Sequence, residues 1–303
     1  MQNDLIPNGS AGLPTPSRLA NLLLFGLCLS AFALPAQSPW TRSKGGFYAQ
    51  AGYHFIPTYD TYFGVQNSAE YKLDREVSEA TFQFYGEYGL AKKTTLVVNL
   101  PFRVVETGEP VDGRPLPNEQ PRNAPGKLSG LGNASFVLRQ NFYSKDGFTA
   151  SGTLRVDVPT DRYNNSTGLR LGYDAWTIMP IASAGVGYRK AYMFGYMGFG
   201  YRTNDYSHLY LLGAEGGYHF KNLWLIGYSE LLSPFANGTV QAPFNNQLTR
   251  LFVDKQGYWS LGLKGIYEVN RFVGVLVYGA GVFYAEQLPK SPGLGAGIYF
   301  KWD

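Results

Sequence analysis

The side chains suited to proton transfer near neutral pH are three histidines, His54, His208 and His219. A hydrolase built on a membrane strand pairs a His with a Ser two positions away, because only alternate side chains share a strand face. Here His54 is followed by Phe55 and Ile56, His208 by Leu209 and Tyr210, and His219 by Phe220 and Lys221. Ser207 adjoins His208, but direct neighbours on a strand point to opposite sides. Asp60, Asp74, Asp161 and Asp174 are scattered, and no His, Asp or Glu cluster has metal-ligand spacing. The chain is therefore read as carrying no catalytic site, no cofactor and no metal, with a hydrolase as the lesser alternative.

The remaining polar chemistry lies in charges that recur at a period of two. Between Asn133 and Val158 two alternating runs flank Lys145-Asp146-Gly147, a three-residue hairpin loop whose Gly can take the left-handed position. Phe148, Ala150, Gly152, Leu154, Val156 and Val158 share one face, and Thr149, Ser151, Thr153, Arg155 and Asp157 share the other. In the first run Ala134, Phe136, Leu138 and Phe142 oppose Asn133, Ser135, Arg139 and Asn141. Strands with one apolar and one charged face suit a membrane barrel with lipid outside and a polar interior.

Similar runs fill the chain. The first strand, from Phe47, is expected to stop at Pro57, and residues 58–74 read as a loop. Ala80, Phe82, Phe84, Gly86 and Tyr88 then alternate with Glu79, Thr81, Gln83, Tyr85 and Glu87 up to a turn at Lys92-Lys93. A third strand through Leu96 and Val104 leads into a loop rich in Pro, Gly and Asn over residues 106–125. Further strands turn at Arg189-Lys190, Lys221-Asn222 and Val269-Asn270-Arg271, and the run over residues 192–201 is too rich in Gly and aromatics for its faces to be separated. A two-residue turn at Lys221-Asn222 pairs Glu215 with Tyr228 and His219 with Trp224, which keeps both faces consistent. Pro101 and Pro180, inside strands, predict bulges or kinks that shape the wall or open it laterally.

The fold class expected is all-β: a transmembrane antiparallel up-and-down β-barrel of about twelve strands, a monomer, with long and short connections alternating. Its short turns face the periplasm. Gly 37, Tyr 23 and Phe 20 with only 16% charged residues fit this reading. A mean hydropathy of -0.18 fits as well, because lipid-facing and lumen-facing residues cancel. A net charge of +4, dispersed, does not point to nucleic acid. Residues 19–34 are apolar, follow Arg18 and end in small residues, so residues 1–36 read as a signal peptide cleaved after Ala33 or Ala36, leaving residues 37–303 as the barrel. The single Cys, Cys28, falls in that segment, so the mature chain carries no disulfide. The expected location is the outer membrane of a Gram-negative bacterium.

On the inward parity lie charges of both signs, with Arg139, Arg155, Glu215, Glu230 and Lys264 at mid-wall and Tyr85, Trp224 and Tyr228 as an aromatic route. Charges at membrane depth belong inside, paired or wetted. They either form a constriction that selects solutes or a strut network that fills the barrel. On the outward parity, Tyr88, Phe142, Tyr188, Trp259, Tyr267 and Trp302 sit near strand ends, where rings favour headgroup depth.

At Gly130-Leu131-Gly132-Asn133, Val158-Pro159-Thr160-Asp161 and Ser166-Thr167-Gly168 the sequence resembles the outer-membrane barrels of the MetA pathway of phenol degradation family. Members show Gly-x-Gly-Asp opening a strand, Pro-Thr-Gly ending the next and a Gly-rich loop before a third. Asn133 stands in place of the Asp and Asp161 in place of the Gly, and the likeness covers residues 130–201. The resemblance implies a porin-like barrel linked to uptake of aromatic or other hydrophobic compounds. A structural or adhesive barrel with partner-binding surface loops is the alternative.

Overall fold

A computed structural model describes residues 37–64, 70–111 and 123–302. The signal-peptide expectation for residues 1–36 lies outside them. Thirteen strands follow in order: β1 Phe47–Tyr62, β2 Tyr71–Ala91, β3 Thr94–Pro110, β4 Gly126–Leu131, β5 Ser135–Lys145, β6 Phe148–Asp157, β7 Thr177–Tyr188, β8 Ala191–Arg202, β9 Leu209–Phe220, β10 Leu223–Pro234, β11 Gly257–Glu268, β12 Val273–Glu286 and β13 Gly293–Trp302. One short helix, α1, spans Phe244–Thr249 in the connection before β11. Every pairing is antiparallel between neighbours, and β13 closes on β1 from Trp302 opposite Phe47 to Leu294 opposite Phe55.

Closure pairs both edges of every strand but β4, which pairs with β3 alone; free edges are what the membrane does not tolerate. Twelve staves make the wall, because β4 and β5 share one: β5 pairs with Thr94 to Asn99 of β3, and β4 pairs with Phe102 to Thr107. Pro101 sits opposite the interruption. Proline has no N–H to donate, and there its carbonyl accepts the Gly132 N–H (2.8 Å). The Asn133 amide donates to the carbonyls of Val158 and Tyr173 (2.8 Å each), and its oxygen accepts the Tyr173 N–H (2.7 Å). The break is thus stitched by side chain and backbone together.

The outward faces are apolar and the inward faces polar, as the alternation requires. Several boundaries differ from the sequence expectation. β1 does not stop at Pro57; a one-residue register shift between Ile56 and Tyr59 absorbs the proline and carries the strand to Tyr62. β2 begins at Tyr71 and β3 runs to Pro110, so both expected loops are shorter, and β4 was not expected as a separate strand. Pro180 produces no bulge, whereas at Pro101 the stave shared by β4 and β5 carries one residue more than β3, with Asn99 opposite Ser135 and Phe102 opposite Leu131. At Pro180 the β7–β8 register passes from Ile178 opposite Tyr201 to Ile181 opposite Gly198 without a shift, so the proline only interrupts the ladder.

At the end with long connections the interior is apolar. Ile56, Tyr59, Tyr62, Leu73, Val77 and Val105 point in from β1 to β3 and bury Leu169, Leu171 and Leu251, which come from two connections folded into the mouth. Those connections hold each other: the Thr249 hydroxyl (2.6 Å) and the Asn246 amide (3.3 Å) donate to the Gly168 carbonyl. Gly168 has φ +71, and a side chain there would meet the Asn245 carbonyl at 2.1 Å, so glycine is required at this approach.

Candidate functional site

Below the apolar mouth the lumen holds two chambers, one of about 270 Å³ toward the long connections and one of about 820 Å³ toward the short turns. Gln83 borders both, and its amide donates to Asn99 (2.7 Å) across β2 and β3.

One half of the inner wall is aromatic, and its construction follows from register. Five inward tyrosines each stand directly opposite a glycine: Tyr192 with Gly217, Tyr196 with Gly213, Tyr228 with Gly262, Tyr278 with Gly295 and Tyr299 with Gly274. A Cβ on any of these glycines would come within 2.0–2.5 Å of the partner ring. Each ring therefore lies flat on its neighbour strand, covering bare backbone and leaving lumen volume open. The hydroxyls of Tyr192 and Tyr196 donate to Glu215 (2.7 Å) and Glu230 (2.6 Å), while Tyr258 donates to the other oxygen of Glu230 (2.7 Å). His54, deeply buried, stacks parallel on Tyr278 at 5.9 Å.

All eight residues singled out from the sequence line these chambers. Tyr85, Arg139, Glu215, Trp224, Tyr228 and Lys264 border the larger one, and Arg155 and Glu230 border the smaller. They are brought together in pairs rather than as one ring. Lys264 meets Glu215 at 3.4 Å, Arg155 binds Asp157 at 2.8 Å, and Arg139 approaches Glu87 at 3.6 Å, with the Tyr85 hydroxyl donating to the same carboxylate (2.6 Å). Trp224 stacks on His219 at 4.4 Å, and His219 faces Glu268 (3.1 Å), which also holds Lys301 (2.8 Å). Such pairing offsets the cost of charge at membrane depth.

Sequence reasoning missed the residues that narrow the larger chamber. The segment preceding β1 lies inside the barrel. Ser151 donates to the Pro39 carbonyl, Arg139 Nη1 donates to the Trp40 carbonyl (2.7 Å), and Arg42 binds Glu87 (2.7 Å). The Trp40 ring stands edge-on to Tyr192 (5.6 Å) and Phe194 (5.7 Å). No period marks a non-strand segment as luminal; the only signal was Trp40 itself, a large apolar ring in a polar stretch. Tyr192 and Tyr196 were missed because β8 carries aromatics and glycines on both faces; in the structure Tyr192, Phe194 and Tyr196 point inward, and Met193, Met197 and Phe199 face lipid.

Ser207 and His208 turn to different partners. Ser207 donates its hydroxyl to Asp254 (2.7 Å), while the His208 ring packs on Tyr201 at 4.8 Å. Among the described residues, no group of three or more His, Cys, Asp or Glu could hold a metal ion.

Among solved structures, the COG4313 outer membrane channel from Pseudomonas putida F1 superposes with a TM-score of 0.64 at 16% identity, covering 88% of this chain and 98% of that one. The chain folds as an outer-membrane β-barrel. Weaker likenesses include the KdgM porin (TM-score 0.45, 8% identity, 84% of this chain and 99% of that one) and the P. putida toluene transporter TodX (0.44, 7%, 90% and 93%). No protein family model and no curated protein matches the sequence. In this outer-membrane barrel the charged pairs and flattened tyrosines occupy the transmembrane lumen, and the outward rings, such as Tyr188 and Trp302, take the membrane interface.

Proposed function

We propose that the barrel is a passive channel for uptake of small aromatic or otherwise hydrophobic solutes. The observation that carries this reading is the row of phenol rings laid flat over glycines along β8 to β13, of which Tyr192, Tyr228 and Tyr278 face a chamber of about 820 Å³. Flat rings give a solute π-faces to slide along, and stacked or edge contacts favour aromatic over aliphatic bodies. The opposite wall, with Gln50, Gln83 and Arg139, supplies polar groups for a substituent or a hydration shell. The similar P. putida structure is that of an outer membrane channel, in keeping with this role, as is the sequence resemblance to the MetA pathway of phenol degradation barrels.

Arg139, Arg155, Glu215, Glu230 and Lys264 shape the path, with Tyr85, Trp224 and Tyr228 as its aromatic side. One chain encloses a complete pore, so the proposed role needs no second subunit. Liposome swelling and single-channel recording on a panel of aromatic acids, phenols, sugars and alkanes test the proposal. Faster entry of aromatic solutes than of sugars of similar size is expected. Absence of both conductance and uptake, with Arg155→Ala and Glu215→Ala changing only thermal stability, overturns it in favour of a structural or adhesive barrel.

A further inference from the structure

The two ends of the barrel differ in charge. Every tight turn at the short-turn end carries or adjoins an exposed cation: Lys92 and Lys93 between β2 and β3, Lys145 at the end of β5, and Arg189 and Lys190 between β7 and β8. Lys221 and Arg271 continue the series in the turns after β9 and β11. Asp146 is the one carboxylate in these turns, and among the described residues none of the seven cations forms an ion pair. The opposite end mixes both signs and pairs them, with Lys127 against Glu106 (3.7 Å) and Lys290 against Glu70.

The direction of these cations is set by the rings beside them. Arg189 lies over Tyr188 (5.1 Å), Lys221 over Phe220 (5.7 Å) and Arg271 over Phe272 (4.4 Å). Tyr188 and Phe220 are 68% and 56% exposed on the outer, lipid-facing surface. Cations held over outward rings sit around the outer rim at headgroup depth, although Arg189 also borders the larger chamber.

We infer that this basic rim is a binding surface for anionic phospholipid headgroups of the leaflet on the short-turn side. A collar of unpaired cations just below an aromatic girdle complements phosphodiester groups at that depth, and the attraction is electrostatic and screened by salt. The leaflet is the periplasmic one, because short turns of such barrels face the periplasm. The inference rests on the barrel fold and is independent of solute uptake, since its test reads bound lipid and not flux.

The full-length mature barrel, purified in a zwitterionic detergent, is exposed to equal amounts of phosphatidylglycerol and phosphatidylcholine, and retained lipid is measured by native mass spectrometry. Several-fold preferential retention of phosphatidylglycerol is expected, falling toward parity at high ionic strength. The same fall is expected in a Lys92→Gln, Lys93→Gln, Arg189→Gln, Lys190→Gln variant. A second variant, Lys145→Gln with Arg271→Gln, reads the rim through other turns and guards against misfolding of the first. Lys72→Gln with Lys255→Gln, at the opposite end, is expected to leave the preference intact. Equal retention of the two lipids overturns the inference, as does a preference that survives both rim variants or that the opposite-end variant removes equally.

Discussion

Tyr228 lies flat on Gly262, its direct partner across β10 and β11, so closely that a Cβ at position 262 would stand 2.0 Å from the ring. The ring also borders the larger chamber, with Lys264 Nζ 5.7 Å from its centroid. Any side chain at 262 must lift the ring off the wall and into the lumen. Gly262→Val is therefore expected to lower single-channel conductance and to cost about 1–3 kcal/mol by overpacking. Urea unfolding in detergent reads the second effect. Unchanged conductance and stability would show that the ring has room to turn elsewhere.

Trp40 is expected to obstruct the larger chamber from its position against Tyr192 and Phe194. Trp40→Ala should raise conductance while leaving the barrel's strand content, read by circular dichroism, unchanged. A conductance equal to that of the parent protein would place the limiting constriction at the apolar mouth instead, near Leu171 and Leu251.

Glu230 accepts hydroxyls from both Tyr196 and Tyr258 and is only 2% exposed. Glu230→Ala leaves two donors unsatisfied, each worth about 1–3 kcal/mol when buried, so a loss of several kcal/mol is expected. Glu230→Gln keeps an acceptor oxygen and should cost markedly less. Equal losses for the two variants would mean that charge, not hydrogen bonding, holds the cluster.

Glu215 and Lys264 form a luminal pair whose members are expected to shift ion selectivity in opposite directions when removed singly. Glu215→Ala should move the reversal potential in a salt gradient toward anions, and Lys264→Ala toward cations. Shifts of the same sign for both variants would place the pair off the conducting path.

Cysteine labelling in intact cells tests the orientation. Gln247→Cys, in the long connection before β11, is expected to react with an impermeant maleimide, whereas Asn222→Cys and Asn270→Cys, in tight turns, are not. The reverse pattern would place the basic rim on the cell exterior.

What the sequence determined by itself is whatever depends on a period of two. Parity alone put Arg155, Glu215, Glu230 and Lys264 inward and Tyr88, Phe142 and Trp259 outward, because successive strand side chains must alternate faces and a membrane penalises charge on one of them. Register across Lys221-Asn222 was legible too: Glu215 stands opposite Tyr228 and His219 opposite Trp224, since a two-residue turn leaves a single pairing that keeps both faces consistent. Tertiary structure decided everything that parity does not encode. β8 offered no contrast between faces, so only its pairing with glycines of β9 showed Tyr192 and Tyr196 to be luminal. The shared stave of β4 and β5, the passage of Trp40 through the interior and the folding of Leu169, Leu171 and Leu251 into the mouth arise from contacts between residues far apart in the chain. A local pattern specifies the side a residue faces, but not what meets it there, because the partner across a barrel is chosen by closure of the whole wall.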